Sequence, residues 1–425
     1  MKHYLVFFLG LLLRSASMLG QPIEELIEQS FSKNLKLKSF QYLIRSAKHK
    51  EYSVSALPAP RISFELQQIP LSNLSVNLLN DPLSQNLSFS QEFPWFGKLN
   101  ALKNLEERKS LLIKSDSALY WSSLKFELIK RYFLLWKYRQ SLALKDSIIV
   151  TYEKAIDAAR VSFKSSTQPL SESLKLQSEL ALAKFERSTL KNEYRSILVS
   201  LNFLLNSPSD TFSINPTYPQ NFDYDSERFE DHYSLSQNPV IKKMSVMIDM
   251  QNAEMAVAET ELLPDIMLQS MLMRMPNGMI LTSNSMSNVN KGGVDYMYGV
   301  MASFTLPFLP WSIDGPVQKA ESFSLTAKAI ELERESMLKE LYSELKMLNR
   351  SFNLLKQKIR LIQLELLPLL RMNLDLQWSE FLLSKSTISS FLDSSRMYFM
   401  KKQELYETEY ELALLYYSIQ ITLGR

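Results

Sequence analysis

Val294–Leu306 reads VDYMYGVMASFTL, and its alternation decides how the rest of the chain is read. Val294, Tyr296, Tyr298, Val300, Ala302, Phe304 and Leu306 fall on one parity. Asp295, Met297, Gly299, Met301, Ser303 and Thr305 fall on the other. A period of two sends successive side chains to opposite faces, so this is a strand with one apolar and one mixed polar face. Three further runs share the design: Arg61–Gln67 (RISFELQ), Asn86–Phe93 (NLSFSQEF) and Asp265–Met273 (DIMLQSMLM). In the first two, Ile62, Phe64, Leu66, Leu87, Phe89 and Phe93 oppose Ser63, Glu65, Gln67, Ser88, Ser90 and Glu92. Each run is close to the ~9–11 residues of a tilted membrane strand. Proline and bulky aromatics stand where strands stop, in FPWFGK (Phe93–Lys98) and LPFLPW (Leu306–Trp311). Trp95, Phe96, Phe308 and Trp311 therefore suit a bilayer interface. A soluble hairpin with one buried face is the commoner setting for such a pattern. Four runs of one design, set between very long helices, weigh against it.

Those helices are written in heptads. Trp121, Leu128, Leu135, Leu142, Ile149, Ile156 and Phe163 recur every seventh position. Leu338, Leu341, Leu345, Leu348, Phe352, Leu355, Ile359, Ile362, Leu366 and Leu369 alternate spacings of three and four. A 3.5-residue repeat imposes left-handed supercoiling on packed helices. Residues 98–165 contain no proline or glycine, which predicts a helix of roughly 100 Å at ~1.5 Å per residue. Residues 317–384 match it in length, with Pro368 as the one interruption. Shorter helices are expected over 22–56, 170–206, 232–261 and 388–423.

The chain is one unit written twice. Pro60 and Ile62 return as Pro264 and Ile266, Pro94 as Pro307, Phe163 as Phe381, and Leu201–Asn206 as Ile419–Gly424. The expected layout is a first repeat over 21–206, with hairpin 60–94, long helix 98–165 and return helix 170–206. A polar linker covers 207–231. The second repeat covers 232–425, with hairpin 264–307, long helix 317–384 and return helix 388–423. Lys2 and His3, the apolar run Tyr4–Leu13 and the small residues of Ser15–Gly20 read as an export signal over 1–20.

Composition excludes most chemistry. There is no cysteine, and the three histidines, His3, His49 and His232, are scattered. Disulfides, Cys- or His-built metal centres and a Ser-His-Asp triad lack raw material. Nine glycines stand where average usage gives roughly 30, and no glycine-rich phosphate loop is present. A net charge of +3 across 425 residues argues against a nucleic-acid surface. No enzyme and no cofactor is expected.

The strings LPAPRISFE (Leu57–Glu65), SFSQEFPWFGKL (Ser88–Leu99), LLPDIMLQ (Leu262–Gln269) and SFTLPFLPW (Ser303–Trp311) together resemble the TolC-type outer-membrane efflux family. Gln91–Lys98, Q-E-x-P-x-x-G-K, is the most specific of them. The resemblance covers nearly the whole chain after the leader. It implies a mainly α fold with a small membrane β part and a homotrimer, each subunit giving one third of a 12-stranded β-barrel and of a periplasmic α-helical coiled-coil barrel. The location would be the outer membrane of a diderm bacterium, extending into the periplasm. The partners would be a periplasmic adaptor, an inner-membrane pump and outer-membrane lipid. Oligomerisation also follows from the strands, because four cannot close a barrel and an open edge in lipid leaves backbone groups unpaired.

On this reading Ser63, Glu65, Gln67, Ser88, Ser90, Glu92, Asp295 and Ser303 line a lumen. Acidic residues near a family member's hairpin tip can form a constricting ring; Glu172 and Asp393 are the candidates here, although solvated helix positions are the plainer account of both. The tips, Lys164–Leu170 and Leu383–Ile388, lack the glycine often found there, and no cysteine exists for an N-terminal lipid. By strand parity Met267, Met271, Met273, Met297 and Met301 also face the lumen. Thioethers favour Cu(I) and Ag(I), which points to the heavy-metal efflux branch. Methionine as an adaptable filler is the plainer account. A type I protein-secretion conduit would share the architecture. A non-membrane coiled-coil scaffold would explain the heptads but not the two-faced strands.

Overall fold

The computed structural model describes residues 22–67, 84–164, 170–207, 214–219, 222, 235–276, 294–383 and 385–425. The expected leader at 1–20 and most of the linker lie outside them. The elements run α1 (Ile23–Lys33), α2 (Leu35–Val54), β1 (Arg61–Gln67), β2 (Ser84–Phe93), α3 (Lys98–Lys164), α4 (Leu170–Leu204), α5 (Pro239–Thr260), β3 (Ile266–Pro276), β4 (Val294–Phe304), α6 (Asp314–Leu361), a π-helical turn (Ile362–Leu366), α7 (Leu367–Leu382) and α8 (Ile388–Thr422). Helix, strand, strand, long helix and return helix therefore occur twice. The expected helix over 22–56 is two helices. Asn34 leaves the helical region at ψ 122°, and its Oδ1 accepts from the Leu37 N–H at 3.0 Å to start α2.

The chain folds into two compact units, each drawing on both repeats. One takes in Tyr42–Lys114 and Met244–Glu333 and holds the sheet, in the order β1-β2-β3-β4 with every pair antiparallel. Its helices are tied by ion pairs. Glu106 on α3 meets Lys50 on α2 at 3.2 Å and Lys109 at 2.9 Å. Burial pushes the Glu106 carboxyl up, but the hydrogen bonds from Lys109 and Lys50 outweigh it and hold it below its ordinary value.

The other unit lies within Met1–Gln41, Ser115–Lys243 and Arg334–Arg425. Its helices pack by the heptads. Leu128, Leu135 and Ile156 of α3 are buried, as are Leu341, Leu345, Phe352 and Ile362 along α6 and the π turn. The expected seam fails at one residue. Leu369 is 62% exposed, and the buried positions beyond the π turn are Leu374 and Phe381. A seam continuing by sevens through Phe352, Ile359 and Leu366 would reach Asn373 and Glu380. The π turn inserts one residue into the helical repeat and moves the seam by one position. Pro368 sits at the start of α7. It has no N–H for the carbonyl four residues back and its ring crowds that carbonyl, so the widened turn lets the helix pass it.

The return helices end alike. Asn206 (φ 49°) and Gly424 (φ 76°) adopt left-handed backbone. The Ser207 N–H donates to the Asn202 carbonyl at 3.1 Å and the Arg425 N–H to that of Gln420 at 2.9 Å, so equivalent positions of the two repeats carry the same helix-end motif. A Cβ at Gly424 would lie 2.5 Å from the Gln237 carbonyl oxygen, which restricts that position to glycine.

An aromatic cluster pins the described part of the linker in this unit. Tyr218 packs its ring 4.6 Å from Trp136, and its hydroxyl donates to the Glu409 carbonyl at 3.0 Å. The Glu409 side chain makes no ion pair among the described residues, and burial pushes its carboxyl up to about 7. The folded chain thus holds a proton that the unfolded chain releases near pH 4.5. Stability is intact below that pH, falls as pH rises towards 7, and carries the full penalty above 7. The rise from 4.5 to about 7 sets a ceiling of about 3.5 kcal/mol at ~1.4 kcal/mol per pKa unit. Glu409 is only half-buried and solvent screens part of that, so Glu409→Gln is expected to raise unfolding stability by about 2 kcal/mol at pH 8 and to change little at pH 4. Denaturant midpoints at the two pH values check this.

Candidate functional site

The strand register sorts the sheet into two unlike faces. Ser63 pairs with Ser88, Ser88 with Met271 and Met271 with Gly299. One step along, Phe64 pairs with Leu87, Leu87 with Leu272 and Leu272 with Tyr298. Directly paired residues share a face, so the two parities stay separate across all four strands. The apolar face stands open. Ile62, Phe64, Leu87, Phe89, Leu268, Leu272, Tyr296, Tyr298, Val300 and Phe304 are all exposed, Ile62 and Tyr298 to more than 70%. An exposed apolar patch of this extent marks a surface made for a partner or for lipid.

The other face carries Ser63, Glu65, Gln67, Ser88, Ser90, Glu92 and Ser303 together with Met267, Met271, Met273, Met297 and Met301. Asp295 occupies a register position of the same parity, opposite Met275, but its side chain lies outside the described residues. The Ser63 and Ser88 hydroxyls are 2.6 Å apart. Among the described residues neither β1 nor β4 has a second partner strand, so the described sheet ends on two edge rows of backbone groups.

Asp265, just before β3, organises the turn where strands become helices. Its carboxylate accepts from Lys98 Nζ at 2.7 Å and from the Trp95 N–H at 3.3 Å. Its own N–H donates to Thr305 Oγ1 at 2.7 Å, and its carbonyl accepts from the Thr305 N–H at 3.1 Å. One residue thus clamps the β2–α3 turn and β4 together. The rest of the Q-E-x-P-x-x-G-K string explains itself locally. Gln91 Nε2 donates to the Pro58 carbonyl at 2.8 Å, and Gly97 takes φ 94°, where other residues are strained. Lys98 and Asp265 both lie in the quoted strings. Their pairing was hidden because it depends on β2 lying beside β3, across the two repeats.

Phe96 and Trp311 at these turns are more than 80% exposed, Phe308 is exposed and Trp95 is half-buried. Glu172 falls in the first turn of α4, with its side chain outside the described residues. Asp393 on α8 meets Arg396 at 3.6 Å, and Arg396 also pairs with Glu179 of α4. Asp393 is thus part of a surface ion-pair cluster. Among the described residues no group of three or more His, Cys, Asp or Glu is arranged to hold a metal ion, and no helix is long and apolar enough to cross a membrane.

No family model and no curated protein matches the sequence. Solved structures do match. CusC, studied for the conformational changes that accompany its folding and transmembrane channel formation, superposes with a TM-score of 0.76 at 15% identity, covering 95% of this chain and 92% of that one. The outer-membrane protein VceC of Vibrio cholerae gives 0.73 at 12% identity, covering 95% and 96%. The MtrE outer-membrane channel of Neisseria gonorrhoeae gives 0.71 at 16% identity, covering 95% and 88%. Over nearly its whole length, this chain has the fold of the TolC-type outer-membrane channels.

Proposed function

We propose that this chain is the outer-membrane channel of a tripartite efflux pump, built as a homotrimer that conducts cargo passively from the periplasm to the exterior. The observation that carries this reading is the four-stranded sheet with one open apolar face and two unpaired edges. In lipid each unpaired backbone group costs several kcal/mol. Three copies joined β4 to β1 would pair both edges and give twelve strands, an even number within the range of bacterial barrels. The apolar face would then meet lipid and the mixed face a water-filled lumen. The helices support the same assembly. Beside the buried seam, Met347, Leu354 and Leu361 form a second stripe at heptad spacing and are exposed in the single chain, as helices awaiting neighbours are.

The periplasmic adaptor and the inner-membrane pump follow from the family resemblance. For cargo, the methionines of the mixed face favour soft monovalent metal ions such as Cu(I) and Ag(I). A conduit needs no reacting groups, which agrees with a lumen face of serine, glutamine, glutamate and methionine.

Extraction of the outer-membrane fraction in mild detergent tests the proposal. A heat-modifiable trimer that conducts ions in planar bilayers is expected. A stable, water-soluble monomer would overturn it.

A further inference from the structure

We infer that Met271, Met297 and Met301 form a thioether site for a soft monovalent cation, Cu(I) or Ag(I), on the mixed face of the β3–β4 pair. Six of the chain's methionines lie on this face within two adjacent strands: Met267, Met271, Met273 and Met275 on β3, and Met297 and Met301 on β4. Gly299 opens the middle of the cluster. It pairs directly with Met271, and the space its missing Cβ would fill is taken by the Met271 side chain, with Cγ at 3.2 Å and Sδ at 3.7 Å. The Met271 thioether therefore lies over Gly299. Met297 and Met301 stand two residues to either side of that glycine on the same face, and Met273 lies directly opposite Met297. Three methionines thus hold register positions centred on Gly299, with Met273 as a fourth beside them. Diagonal neighbours on one sheet face are within reach of long side chains.

The ligand class follows from what the cluster contains. A thioether is soft and neutral, so it selects Cu(I) and Ag(I) over Zn(II), Mg(II) or Ca(II), which prefer nitrogen, thiolate or oxygen donors. Methionine packing alone does not account for the placement. Met297 and Met301 remain about 40% exposed, and neither fills a core. The flexible side chains can close around an ion and open again, as a step on a transit path requires. That cargo ions meet this face rests on the channel reading above; the coordination chemistry does not.

The test uses the purified full chain in detergent, titrated with silver nitrate by calorimetry and followed by X-ray absorption. Wild type is expected to bind Ag(I) through sulfur and to leave Zn(II) unbound. No thioether must lose a proton to bind, so affinity should stay flat between about pH 5 and pH 7, where imidazole ligation weakens. The M271L/M297L/M301L variant is close to volume-conserving, and it should weaken binding by about tenfold or more. The exposed helical control M372L/M397L should leave binding unchanged. Should the triple variant fail to assemble, each single Met→Leu change is expected to weaken binding on its own. Absence of Ag(I) binding by wild type, or equal binding by all variants, overturns the site. Bilayer conductance separates the two ideas. A conducting trimer that ignores silver removes the site and leaves the channel, whereas silver binding by a chain that forms no pore removes the channel.

Discussion

Val300→Arg is expected to empty the outer membrane of this protein. Val300 is 69% exposed on the apolar face, near the middle of β4 and directly opposite Ser270. An arginine facing lipid at that depth costs about 2–4 kcal/mol per subunit, and a trimer would meet the cost three times. The heat-modifiable trimer should fall to a small fraction of its wild-type amount, with the chain left to periplasmic proteolysis. Ser303→Arg, on the opposite face of the same strand, should assemble normally. Quantifying trimer in outer-membrane fractions checks both, and equal behaviour of the two variants would sink the assignment of faces.

The second large effect concerns the helices. Phe381→Ala should destabilise the helical unit by about 3–5 kcal/mol, the usual range for emptying a buried aromatic site. Phe381 is fully buried, with ring centroids 5.9 Å from Trp378 and 6.2 Å from Phe391. Leu369→Ala should change stability by no more than about 0.5 kcal/mol, as exposed positions do. The two results together test the shifted seam. An unbroken heptad from Leu338 would make Leu369 a core residue and leave Phe381 beside the seam, and the costs would exchange. Denaturant unfolding in detergent, followed by circular dichroism, measures both.

What could be read from the chain alone was whatever repeats over short distances. A period of two in VDYMYGVMASFTL and a period of 3.5 in the long helices are local signals, so strand faces and seams were visible. The Met, Ser and Glu positions assigned to one parity share one face of the sheet because the register pairs like parities across all four strands; a slip of one residue would have mixed the faces. Their role as a lumen belongs to the proposal. Long-range facts were not visible. Nothing in the sequence announces that β2 and β3 lie side by side, so Asp265 could not be joined to Lys98 and Thr305. The burial of Glu409 was equally hidden, since the Tyr218 hydroxyl that meets its carbonyl comes from the distant linker. Asn34 carries a local signal, a capping side chain inside an apparently continuous helix, but the good helix formers on either side of it mask the break. The π turn could have been suspected from Pro368, but a proline does not state whether a helix kinks, stops or widens.

That widened turn bears on how such a molecule can evolve. In a strictly periodic seam, gaining one residue rotates everything beyond it by about 100° and turns a core outward, so length changes should be lethal. Here the extra residue is absorbed within one turn, and the far stretch regains its proper face. The second copy of a duplicated ancestor could thereby drift in length from the first without losing its fit, and insertions of a single codon become survivable.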